Sequence, residues 1–186
     1  MAMALPVPFF TIADLAEFPE DGNRYELLEG VLLVSPSPAS DHQIVATRLA
    51  VALSIALERD QLAHVVAVGT VQHGDRTQLQ PDILVYPASY APGTRWAEIE
   101  GWWLAVEVMS PSSRIYDRKF KRAAYLALGV EQYWIVDPRE RSVEIWTRGD
   151  DVPQVATGTL AWRPAALGGE VTIDLAAVFR GLGSDA

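Results

Sequence analysis

Two acidic residues stand where carboxylates are hard to accommodate. Glu107 interrupts the run Trp102-Trp103-Leu104-Ala105-Val106-Glu107-Val108-Met109, which is otherwise continuously apolar, the pattern of a central strand covered on both faces. A lone carboxylate there costs several kcal/mol unless it is paired or metal-bound. A structural salt bridge, or a strand end reaching water, is the simpler explanation for such a residue. Asp82 follows Pro81 at the start of a strand read over residues 79–86, and Pro-Asp taken alone is a common turn pair. On neighbouring strand edges the two acids would make a hard oxygen site suited to Mg²⁺ or Mn²⁺.

A cation can complete such a site. Arg114, Arg118, Lys119, Lys121 and Arg122 fall within nine residues that hold a single acid, Asp117, and Lys119 and Lys121 are the only lysines of the chain. Lys121 precedes Tyr125 by four residues on the helix expected after the Glu107 strand. Its amine can reach back over the strand end to orient a water or stabilise charge developing on a phosphoryl group; a solvated surface is the alternative, and the one preferred for Lys119. Arg114, Arg118, Lys119 and Arg122 are candidate phosphate contacts. His42 and Gln43 open a helix whose N-terminus can hold an anion, although capping or packing explains a histidine there equally well. Glu26 and Glu29 lie on an N-terminal hairpin and can add an acid. His64 and His73 have no neighbours in sequence that suggest ligation. Tyr133-Trp134 reads as sheet core, and Asp137-Pro138 as the end of a strand.

The elements that must position these groups follow from period and punctuation. A short helix over residues 11–17 has Thr11 as N-cap with Asp14 three residues on. Residues 25–34 form a hairpin turning at Glu29-Gly30. Ser40 or Asp41 caps a helix expected from about His42 to Arg59, with Ile44, Val45, Leu49, Leu53, Ala56 and Leu57 on its apolar stripe. Strands are expected over residues 65–68, 79–86, 102–109, 132–136 and 142–147. A helix over residues 117–128 stops at Gly129, and the tail, residues 152–179, reads as a hairpin-like extension with a final short helix. This order implies an α/β (α+β) fold, a mixed sheet flanked by helices.

Composition bounds the rest. The chain has 186 residues, 24 acidic against 15 basic side chains and no cysteine. Thiol nucleophiles, disulfides and Cys-held metals are therefore excluded. The formal charge of -9 argues against coating nucleic acid by bulk charge. No apolar run reaches the roughly 18 residues of a membrane helix. The apolar start, Met1 to Phe10, lacks the basic region of a signal peptide, so a cytoplasmic location with no membrane contact is expected.

Taken in order, several segments resemble the Uma-two family of restriction-endonuclease type, a branch of the PD-(D/E)XK nucleases. They are Arg24-Tyr25-Glu26-Leu27-Leu28-Glu29-Gly30, Ser37-Pro38 with His42-Gln43, Leu79-Gln80-Pro81-Asp82-Ile83, Val106-Glu107-Val108-Met109-Ser110-Pro111-Ser112-Ser113, Tyr116-Asp117 with Lys121 and Tyr125, and the run from Gly129 to Pro138. The resemblance spans about residues 11–150. It implies a restriction-endonuclease-like mixed sheet in a single domain over 1–186, with an N-terminal helix and hairpin (about 11–34), a nuclease core (about 40–148) and a C-terminal extension (about 149–186).

The resemblance further implies Mg²⁺- or Mn²⁺-dependent hydrolysis of DNA. Asp82 and Glu107 would be the metal-holding acids, helped by the Val108 backbone carbonyl. Met109 stands where the superfamily carries its lysine, and Lys121 on the following helix takes that place. No organic cofactor is implied, and a homodimer is expected of a nuclease that cuts both strands. The alternative is a catalytically inactive nuclease-fold module acting in self-association or protein–protein contact, with Trp96, Trp102 and Trp103 as apolar anchors. Glycoside hydrolysis by paired carboxylates has no support beyond the two acids.

Overall fold

Near-continuous apolar runs between positions 83 and 147 build a sheet with two buried faces. The computed structural model describes residues 9–57, 61–110 and 116–183. In chain order the elements are β1 (Arg24–Leu28), β2 (Val31–Ser35), α1 (Ser40–Leu57), β3 (Ala63–Ala67), β4 (Val71–His73), β5 (Thr77–Leu79), β6 (Ile83–Pro87), β7 (Leu104–Val108), α2 (Arg122–Ala127), β8 (Gln132–Asp137), β9 (Ser142–Thr147), β10 (Gln154–Ala156), β11 (Thr159–Trp162), β12 (Val171–Asp174) and α3 (Leu175–Val178). The large sheet runs β10-β9-β8-β7-β6-β3, and a smaller antiparallel sheet runs β2-β1-β5-β4. Among the described residues only β7 and β8 pair in parallel within the large sheet. A parallel pair needs a crossover, and the segment carrying α2 supplies it.

Ile83, Val85, Leu104, Val106, Val108, Trp134, Val136, Val143 and Ile145 face α1 and the C-terminal segment. Leu84, Ala105, Met109, Tyr133, Ile135 and Trp146 face α2 and the small sheet. Alternation puts Glu107 on this second face, with Ala105 and Met109. The C-terminal hairpin, β11 with β12, closes the first face: the Trp162 ring meets Trp134 edge-on with centroids 5.4 Å apart.

Several expectations need adjustment. Helix α1 begins at Ser40, and its buried stripe is Val45, Ala46, Leu49, Leu53 and Leu57, whereas Ile44 is exposed. The contiguous strand expected over residues 79–86 is broken, because Pro81 has no N–H to continue a ladder. Thr77–Leu79 pairs in the small sheet and Ile83–Pro87 in the large one. Asp82 therefore sits in the passage from one sheet to the other, its carbonyl accepting the Val68 N–H at 2.9 Å. The helix expected over 117–128 starts as a π-helical turn, Tyr116–Lys121, before α2. Trp102 and Trp103 are buried in the two cores, so neither offers an anchor for a partner.

The β1–β2 hairpin turns as read. Glu29 and Gly30 both adopt positive φ, 52° and 82°, the type I′ geometry that matches strand twist. A Cβ on Gly30 would stand 2.9 Å from Phe9 Cδ1 and 3.3 Å from the Phe10 carbonyl. Gly30→Ala is expected to lower stability by about 1–2 kcal/mol, the penalty of a left-handed backbone for a residue with a Cβ, read by urea unfolding.

Candidate functional site

The site forms where the β6–β7 ladder ends. Ile83 pairs with Val106, so one step further along the same register Asp82 faces Glu107. The Val108 N–H donates to Asp82 Oδ2 at 2.8 Å, and the carboxylate thereby closes the ladder. Arg24, from β1, donates through both terminal nitrogens to Asp82 Oδ1, each at 3.1 Å, and through one of them to the Gln80 carbonyl at 3.0 Å. His42, in the first turn of α1, places Nε2 3.0 Å from Asp82 Oδ2.

Glu107 is held from the opposite side. Its Oε1 accepts from Lys121 Nζ at 2.9 Å and from the Tyr125 hydroxyl at 3.1 Å. Asp117, Lys121 and Tyr125 follow at intervals of four, which places them on one helical face. Lys121 reaches a second acid, Glu26 Oε2, at 2.8 Å. Glu26 is fully buried, and its other oxygen accepts the Gln80 N–H at 2.8 Å. The N-terminal hairpin thus grips both halves of the site, Arg24 on Asp82 and Glu26 on Lys121. Arg24 and Glu26 are two apart on one strand and so share a face.

These groups open onto a cleft of about 230 Å³ lined by Arg24, His42, Asp82, Glu107, Val108 and Lys121, with the loop between β2 and α1 as its other wall. Burial alone would raise the Asp82 carboxyl, but His42, Arg24 and the Val108 N–H outweigh it and hold Asp82 below the usual range. Glu107 goes the other way. Burial pushes it well above the usual range, Lys121 opposes, and Asp82, Asp117 and Glu26 add to the rise. Burial would lower the Lys121 ammonium, but Glu107, Glu26 and Asp117 more than offset that and keep it charged. One carboxylate held ionised facing one pushed toward its neutral form is an asymmetry characteristic of functional clusters.

Tyr125, fully buried, stacks on Tyr133 with ring centroids 5.2 Å apart, and burial followed by the Glu107 charge raises its phenol. Tyr125→Phe removes a donor to a carboxylate, and stability is expected to fall by about 1.5–3 kcal/mol at neutral pH, measured by urea unfolding.

Of the residues singled out from sequence, Asp82, Glu107, Lys121, Glu26 and His42 converge here, and Val108 lines the same cleft. Glu29 lies exposed on the hairpin turn and Gln43 exposed on α1, outside the cleft. The basic stretch divides. Arg118 pairs with Glu144, the Arg122 guanidinium lies 4.1 Å from the Trp146 ring centroid, and Lys119 is exposed. Arg114 lies outside the described residues, as do Pro111, Ser112 and Ser113. His64 packs within the chain, its Nε2 2.8 Å from the Tyr90 carbonyl. Asp137 ends β8 by accepting the Arg139 and Glu140 N–H groups at 3.0 and 3.2 Å. Tyr133 and Trp134 have no exposed surface. Arg24, one residue ahead of the hairpin expected over 25–34, also enters the site, because β1 begins at Arg24.

Comparison with known proteins gives this geometry a context. A family model described as "Putative restriction endonuclease", Uma2, matches residues 12–182. A solved structure, titled as a putative nuclease belonging to DUF820 from Anabaena variabilis, superposes with a TM-score of 0.75 at 19% identity, covering 91% of this chain and 97% of that one. No curated protein matches the chain. The chain belongs to the Uma2 family and has the fold of that solved structure. The family's description supports nuclease function. Among the described residues no helix is long and apolar enough to cross a membrane.

Proposed function

We propose that this Uma2-family member hydrolyses DNA phosphodiester bonds as a Mg²⁺- or Mn²⁺-dependent endonuclease, with Asp82 and Glu107 as the metal-holding acids. The observation that carries this reading is their placement opposite one another at the end of the β6–β7 ladder, in one cleft, with a buried lysine on Glu107. The donor chemistry fits. No group of three or more His, Asp or Glu side chains suited to a metal occurs among the described residues, so an all-protein cage is not what the site offers. Mg²⁺ is commonly bound through one or two carboxylates, with water and substrate phosphate completing its shell. Asp82 and Glu107, with the Val108 carbonyl as a further hard donor, suit that mode. Such an ion lowers the pKa of a bound water and neutralises charge on the scissile phosphate.

The chain's own residues then have separable tasks. Asp82 is held toward its ionised form by the His42 hydrogen bond, the Arg24 guanidinium and the Val108 N–H. Glu107 is kept in one orientation by Lys121 and Tyr125, both on Oε1. Lys121, held between Glu107 and Glu26, supplies a fixed positive charge beside the reacting phosphate. A single subunit suffices to nick; two in a two-fold dimer would cut both strands.

Supercoiled plasmid incubated with purified protein and Mg²⁺, Mn²⁺ or EDTA tests the reading. Nicking with either metal and none in EDTA is expected. A folded protein that leaves plasmid intact with both metals, or cuts equally well in EDTA, contradicts it.

A further inference from the structure

Every acceptor position of Asp82 is taken in the structure. A carboxylate offers about four lone-pair sites; Arg24 fills two at Oδ1, and the Val108 N–H and His42 fill two at Oδ2. A cation that coordinates Asp82 must displace one of them. The Val108 N–H is backbone inside a sheet and cannot leave. Lys121, the other internal cation, is 6% exposed and pinned between two buried acids. The His42 side chain is 11% exposed and Arg24 the most open at 19%, and Arg24 lines the cleft together with Ser35, Ser37 and Ser110. The Arg24 backbone is fixed by its pairing with Ser35, so the part free to move is the side chain.

A guanidinium next to Asp82 repels an arriving dication, and its planar fork matches a phosphate as well as a carboxylate. We propose that Arg24 is a displaceable counter-ion and substrate-positioning residue: it occupies Asp82 until a divalent metal binds, then turns its fork onto the DNA phosphate held beside that metal. This rests on the metal-dependent nuclease reading of the same cleft. It assigns Arg24 two opposite effects, against metal affinity and for substrate binding, which a structural prop for Asp82 would not have.

Calorimetric titration with Mn²⁺ alone, and KM for plasmid nicking in Mg²⁺, are measured on wild type, Arg24→Gln, Arg24→Lys and Asp82→Asn. Arg24→Gln is expected to bind Mn²⁺ about tenfold more tightly, since a like charge is removed from beside the ion. Its KM is expected to rise about tenfold, the loss of a charge-assisted phosphate contact, with kcat changed less. Arg24→Lys keeps the charge and loses the fork, so its Mn²⁺ affinity stays near wild type while KM rises. Should Arg24→Gln not fold, Arg24→Lys decides alone, and a wild-type KM in it overturns the proposal. Weaker or unchanged Mn²⁺ binding by folded Arg24→Gln also overturns it and makes Arg24 a prop for Asp82. If wild-type Mn²⁺ binding is absent or indifferent to Asp82→Asn, the metal reading itself fails, and the proposal with it, by a different signature.

Discussion

On the proposed reading, Glu107→Gln is expected to abolish metal-dependent nicking while the protein stays folded, the largest functional effect expected at the site. Losing even an outer partner of a metal ligand costs roughly 10–100-fold, so replacing one of the two proposed ligands is expected to remove at least about a hundredfold of activity. The fold survives because glutamine keeps an oxygen for the Lys121 and Tyr125 donors, and Lys121 retains Glu26. Stability moves in a direction set by the raised Glu107 pKa. A carboxyl whose folded pKa lies above its unfolded value binds more protons when folded, so its contribution falls as pH rises through that window. Glu107→Gln has no such term. Its thermal midpoint, relative to wild type, is expected to improve as pH rises from the unfolded carboxyl range toward neutrality. A variant that nicks at the wild-type rate removes Glu107 from the mechanism.

Lys121→Met is expected to give the largest loss of stability. The methionine approximates the lysine stem, so packing changes little, but Glu26 and Glu107 lose the cation between them. Both acids are buried, at 0% and 4% exposure. Breaking a buried ion pair from one side costs about 3–5 kcal/mol, to be read by urea unfolding at pH 7. The deficit is expected to shrink at lower pH as Glu107, already pushed toward its neutral form, takes up a proton. Adding Glu26→Gln should recover part of the loss at pH 7, because one orphaned charge is then removed. A Lys121→Met protein within about 1 kcal/mol of wild type, the ceiling for solvent-exposed pairs, would place the lysine in solvent instead.

What could be read from sequence divides along physical lines. Glu107 was legible because a carboxylate inside eight otherwise apolar residues contradicts its surroundings, and the contradiction has few resolutions. Lys121 was legible as one of two lysines, set four residues before Tyr125, a spacing that joins them on any helix. The break at Gln80–Asp82 was not legible. The residues around Pro81 alternate well enough for one strand, and only the missing ladder hydrogen bond, with pairing to β1 and β4, divides it between two sheets. Burial of α1 was misread at Ile44, since periodicity leaves the phase of a stripe open by one residue and the packing of β3 and the C-terminal hairpin decides it. The π-helical turn ahead of α2 has no compositional mark. Arg24 was missed because an arginine at a strand start is ordinary in sequence; only the tertiary placement of β1 beside Asp82 makes it unusual. The basic stretch looked like one patch because sequence proximity ignores helical phase, and Glu144 and Trp146 on β9 draw two of its members inward.

The most direct measurement is an anomalous difference map from crystals soaked in Mn²⁺ with the cleft open to solvent. The account predicts one strong peak within bonding distance of both Asp82 and Glu107, with the Arg24 guanidinium moved off Asp82. A peak bound elsewhere, or an empty cleft at saturating Mn²⁺ with Arg24 still on Asp82, would contradict it.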